Sequence, residues 1–84
     1  MSTVLTDEEA KMYIAENVRR LLLLRGMNQS DLARKIGESE MRISLMVRGI
    51  KLPSAAFLAR VAEALAVKID ELLSPCQKNP RRTA

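Results

Sequence analysis

A chain of 84 residues with a formal net charge of +4 has room for one small domain and no separate sensor. Hydrophobic residues make up 48% and aromatics only 2%, which points to an aliphatic helical core and away from a β-sandwich. One cysteine, Cys76, and no histidine leave no internal disulfide, no zinc site and no Cys–His nucleophile, and no apolar run approaches a membrane span.

Met1 to Leu5 reads as a loose start without a signal-peptide pattern, so a cytoplasmic location is expected. Thr6 followed by Glu9 is a capping box, and Asp7, Glu8 and Glu9 lie at the positive end of the helix dipole. The first helix is expected to run to about Arg25 and stop at Gly26, with Ile14, Val18, Leu21 and Leu22 facing inward. Met12 and Leu23 lie well round from that stripe, and Tyr13 and Leu24 occupy a third side. Asn28 caps a second helix from Gln29 to Ile36, with Asp31 as a weaker capping-box partner and Met27 as a possible staple.

Gly37 stops that helix and Ser39 caps the next, predicted over Glu40 to Arg48 with Ile43, Met46 and Val47 buried. The link of Gly37, Glu38 and Ser39 is too short for antiparallel packing and suits two helices crossing steeply. Ala33 is small where these helices would meet, and Ile43 fills the space opposite. Gly49 ends the third helix and 50–53 is a loop. Ser54 caps a fourth helix to about Ala64 or Leu65, with Ala55, Leu58, Val61, Ala62 and Leu65 as its buried stripe. A short fifth helix around Ile69 to Leu73 closes the core through Ile69, Leu72 and Leu73. Residues 74–84 read as a polar tail with Lys78, Arg81 and Arg82, leaving 1–73 as one domain.

The span from Val18 to Leu73 resembles the lambda repressor/Cro-like (XRE) helix-turn-helix family. The matching residues are VRRL at 18–21, GMNQSDLARKIG at 26–37, ES and RIS within 38–44, RG at 48–49 and the run from Pro53 to Leu73. The resemblance implies an all-α, compact five-helix domain, here with an extended first helix, that binds operator DNA, usually as a dimer. The motif itself is 29–48. Three departures from the family pattern are visible. Leu22, Leu23 and Leu24 stand where polar residues are common, Glu38 where an aliphatic is common, and Ala66 where glycine is common, so the turn at Ala66 is expected to be tighter or more helical than usual.

On that resemblance, helix three enters the major groove and helix two lies across the backbone. Base reading falls to Glu40, Met41, Arg42, Ser44 and Leu45; Asn28, Gln29, Ser39, Arg48 and Lys51 position the phosphates. Arg42 has the donors for a guanine edge or a phosphate, Glu40 can accept from cytosine, and Met41 and Leu45 can meet a thymine methyl. Dimer contacts are sought at Leu23 and Leu24, or at Phe57 with the end of helix five; the latter leaves both reading helices on one side. The leucines also have a plain reading, since leucine favours helix. The expected function is a dimeric transcriptional repressor of phage, plasmid or mobile-element type on a palindromic operator, with no enzyme activity, cofactor or metal. The alternatives are a protein-binding module such as an antitoxin against a toxin, or a restriction–modification controller. RNA polymerase is a further candidate partner.

Overall fold

The computed structural model describes residues 5–75; the expectations for the first residues, for Cys76 and for most of the 74–84 tail fall outside them. Five helices follow in order: α1 Asp7–Arg25, α2 Gln29–Ile36, α3 Glu40–Val47, α4 Ala55–Ala64 and α5 Ile69–Leu72, with no strand among the described residues.

The starts of the first four helices are set by side chains. Thr6 Oγ1 accepts from the Glu9 amide at 3.0 Å, while Glu9 Oε1 accepts from the Thr6 amide at 3.1 Å. Asn28 and Asp31 make the same reciprocal pair at 2.8 and 3.0 Å. Ser39 and Ser54 each accept at 3.2 Å from the amide three residues on. Such a cap contributes about 1 kcal/mol by satisfying an amide that has no partner within the helix.

Behind the caps lies a single aliphatic core. Ile14, Val18, Leu21 and Leu22 of α1 meet Leu32 and Ala33 of α2, Ile43, Met46 and Val47 of α3, Phe57, Leu58, Val61 and Ala62 of α4, and Leu65 and Leu72 beyond. α3 packs on both α1 and α2, α2 also on α4, and α5 on α1 and α4. Burying each large aliphatic side chain contributes roughly 1.5–3 kcal/mol. Ala33 and Ile43 are both buried, as the close approach of α2 and α3 demands.

The chain departs from the sequence reading in three places. Ala55 is exposed and Phe57 buried in its stead. The inward stripe of α4 is rotated towards Phe57, whose ring removes far more apolar surface from water than a methyl group. Ile69 stands partly in solvent, while Leu72 is fully buried and Leu73 packs against the core from its edge. A helix of only four residues has one face to offer, and its C-terminal end takes the core side.

The third departure is the turn after α4. Ala66 has φ 60°, so the turn is neither tighter nor more helical: it keeps the left-handed backbone that glycine normally supplies. The reason lies in the hydrogen bonding. The Val67 amide donates to Ala62 O at 3.0 Å, the same closure that Met27 makes to Leu22 O and Glu38 to Ala33 O, both at 2.9 Å. That closure requires a left-handed residue just before the donor, whatever its side chain.

Candidate nucleic-acid interface

With Ile43, Met46 and Val47 turned into the core, the helical period leaves Met41, Leu45 and Arg48 on the opposite stripe of α3. Glu40 and Ser44 flank that stripe on one side and Arg42 on the other. Met41 is 67% exposed, Glu40, Arg42 and Arg48 are exposed, and Ser44 and Leu45 are half-buried. Arg48 Nε donates to Ser44 Oγ at 3.1 Å, which lays the guanidinium along the helix surface. Lys51 is exposed in the loop that follows, and its amide donates to Leu45 O at 3.3 Å.

Among the residues assigned to phosphate contact, Asn28 and Ser39 already use their side-chain oxygens as helix caps. Asn28 keeps its amide group, and Ser39 its hydroxyl proton, for an acceptor outside the chain. Gln29 is the first residue of α2, where free backbone amides and the helix dipole favour an anion.

Arg42 is tied down more firmly than its place on an exposed flank suggests. Its Nη1 donates to Glu38 Oε1 at 2.8 Å, and its guanidinium carbon lies 5.5 Å from the centre of the Phe57 ring. The other oxygen of Glu38 accepts from Arg60 Nη2 at 2.7 Å; Arg60 Nη1 donates to Ile36 O at 3.0 Å, and its guanidinium lies 5.9 Å from the same ring. The hydrogen bond from Arg60, then that from Arg42, hold the Glu38 carboxyl below its ordinary pKa. Arg42, Leu45, Lys51, Ser54 and Phe57 share the wall of a hollow of about 270 Å³ between α3 and the start of α4.

The dimer candidates separate cleanly. Leu23 is 82% exposed and Leu24 65%, whereas Leu22 belongs to the core. Phe57 is only 5% exposed, so the expectation that it offers an outer contact is corrected: its ring seals the core beneath Arg42 and Arg60.

Several cations that have no role in the sequence reading serve the fold. Arg19 donates to Val47 O at 2.6 Å, Arg25 to Leu65 O at 2.7 and 3.0 Å, and Arg60 to Ile36 O, each at the end of a different helix. A guanidinium there satisfies carbonyls left free by the last turn and meets the negative end of the dipole. Asn17, 1% exposed, was also missed; its Nδ2 donates to Leu72 O at 3.0 Å and Ser74 O at 2.7 Å. One signal was available in advance. An acid at 38, in a short turn where an aliphatic is usual, calls for a cation from elsewhere in the fold.

The described residues hold no group of three or more histidine, cysteine, aspartate or glutamate side chains that could bind a metal, and no helix long and apolar enough to cross a membrane. A family model described as helix-turn-helix matches residues 18–72. An uncharacterized HTH-type transcriptional regulator of Sinorhizobium fredii, y4dJ, is 28% identical over 72 residues, spanning 86% of this chain and 94% of that protein. The crystal structure of the hypothetical transcription factor NHTF from Neisseria has a TM-score of 0.79 at 23% identity, covering 98% of this chain and 94% of its own; at that identity the likeness is one of fold.

Proposed function

The chain belongs to the XRE-type helix-turn-helix family of transcriptional regulators, and from that premise we propose that it is a dimeric repressor reading a palindromic operator through α3. The observation that carries the reading is the division of α3: Ile43, Met46 and Val47 hold it to the core, while Glu40, Met41, Arg42 and Arg48 stay outside. α3 then lies in the major groove, with Glu40, Met41, Arg42, Ser44 and Leu45 towards base edges. Asn28, Gln29, Ser39, Arg48 and Lys51 fix the register on phosphates. Residues 1–73 act as one domain in this scheme and need no cofactor.

Two variants test it in salt titrations on duplex DNA. Arg48→Ala weakens binding to all sequences alike and lowers the salt slope by about one, whereas Glu40→Ala changes sequence preference. If both leave binding and preference untouched, the assigned face is wrong.

A second reading draws on Leu23 and Leu24, which place two large apolar side chains in solvent at the end of α1. They suit a second copy of the chain or, in an antitoxin, a partner protein. Sedimentation of Leu23→Glu separates these: loss of a homodimer supports the first, and a monomeric wild type that co-purifies with another protein supports the second.

A further inference from the structure

We propose that Glu38 is a positioning residue for base reading: its carboxylate holds Arg42 against a fixed support on α4, and so sets base preference at one position of each half-site without touching DNA. The proposal rests on the reading of α3 given above and adds to it a residue that lies in the turn, outside the reading helix.

The support is built outward from the core. Phe57 is buried, and both guanidinium groups lie over its ring. Arg60 is held twice, by Ile36 O and by Glu38 Oε2. Glu38 is thereby fixed from α4 as well as by its own backbone, whose amide donates to Ala33 O. Its side chain is 12% exposed, so the carboxylate is shielded on most sides. The remaining oxygen, Oε1, points to Arg42, four residues further on and one helical turn away.

Among the described residues Arg42 donates through Nη1 alone, and its side chain is 58% exposed. A guanidinium carries five donors in a rigid planar fork. One used by Glu38 leaves an edge that can meet guanine O6 and N7 together. A free arginine on a helix surface must lose its rotamer freedom when it binds. This one has given up much of it during folding, which favours the base that matches its fixed direction over bases that do not. An aliphatic residue at 38 would leave Arg42 with only the ring to lean on.

The opposing possibility is that Glu38 merely neutralises Arg42. The two make different predictions for selection from random duplex DNA at fixed salt with wild type, Arg42→Ala, Glu38→Gln and the double variant. Wild type returns an inverted repeat. Arg42→Ala loses about tenfold or more of discrimination at one base pair in each half-site. Glu38→Gln loses roughly three- to tenfold at that same pair, leaves the other positions as they are, and adds nothing in the Arg42→Ala background. Should Glu38→Gln fail to melt cooperatively, Arg60→Met takes its place; it leaves Glu38 in the chain, cuts its tether to α4, and is expected to broaden the same pair. The proposal is overturned if the variant used keeps wild-type discrimination there, if it tightens binding to every sequence equally, or if Arg42→Ala changes no position. A wild type that enriches no motif overturns the underlying reading itself, a result distinct from a change seen only in the variants.

Discussion

The turns from α2 to α3 and from α4 to α5 are built to one plan and finished differently. Each passes through a left-handed residue, Gly37 at φ 72° and Ala66 at φ 60°. Each closes with the next amide donating back five residues, and each has its helix end held by an arginine from elsewhere, Arg60 on Ile36 O and Arg25 on Leu65 O. There the likeness stops. The first turn uses glycine, a serine cap on the helix that follows, and a carboxylate that joins two guanidinium groups. The second strains an alanine, and Lys68 offers no side-chain cap to α5. The turn that aims α3 is determined several times over; the turn that only brings Leu72 to the core relies on distant support.

That contrast can be pressed hardest at Asn17, which holds the far end of α5, the helix that the second turn delivers. Asn17→Ala removes two donors and leaves Leu72 O and Ser74 O without them, a loss of about 2–3 kcal/mol in urea unfolding. The glycine and alanine can then be exchanged in opposite senses. Gly37→Ala meets no neighbour within 4 Å, so its cost is conformational alone, about 1 kcal/mol of destabilisation. Ala66→Gly relieves the corresponding strain and stabilises by about 0.5–1 kcal/mol, read as a higher melting temperature. Opposite signs at these two positions would confirm that the turns share a backbone; equal signs would refute it.

The smallest effect is one of pH. Arg60 and then Arg42 depress the Glu38 carboxyl below its ordinary value of 4.5. A carboxylate with a lowered folded-state pKa adds stability above its unfolded value and loses it as pH falls through the folded one. Wild type therefore exceeds Glu38→Gln in stability at neutral pH, and the gap closes as urea melts are taken down from 4.5. A gap that stays constant through that range would mean the ion pairs contribute nothing.

How much could be read in advance follows the same division. Caps and stops are local: Thr6, Asn28, Ser39 and Ser54 need only the residues three positions on, and Gly26 and Gly37 only their own freedom of backbone. Those were legible, as was the inner stripe of α1 and of α3. Contacts that join remote segments were not. Asn17 finds its acceptors more than fifty residues away, and Arg60 reaches Glu38 across 22. Nothing in either residue's own neighbourhood separates it from a solvated polar side chain. Phe57 was misplaced for a related reason: the rotation of α4 is fixed by what it packs against. The outward side of α3 follows from its inner stripe, but what it binds does not follow from packing at all.

The central claim concerns that outward side, and it can be put to the molecule without knowing the operator. Amide and side-chain NMR signals followed while a random-sequence duplex is added at low salt locate the contact directly. The account predicts that shifts gather at Gln29, Met41, Leu45, Arg48 and Lys51 and spare Met12 and Leu23 on α1. Shifts confined to α1, with α3 and its following loop unmoved, would contradict it.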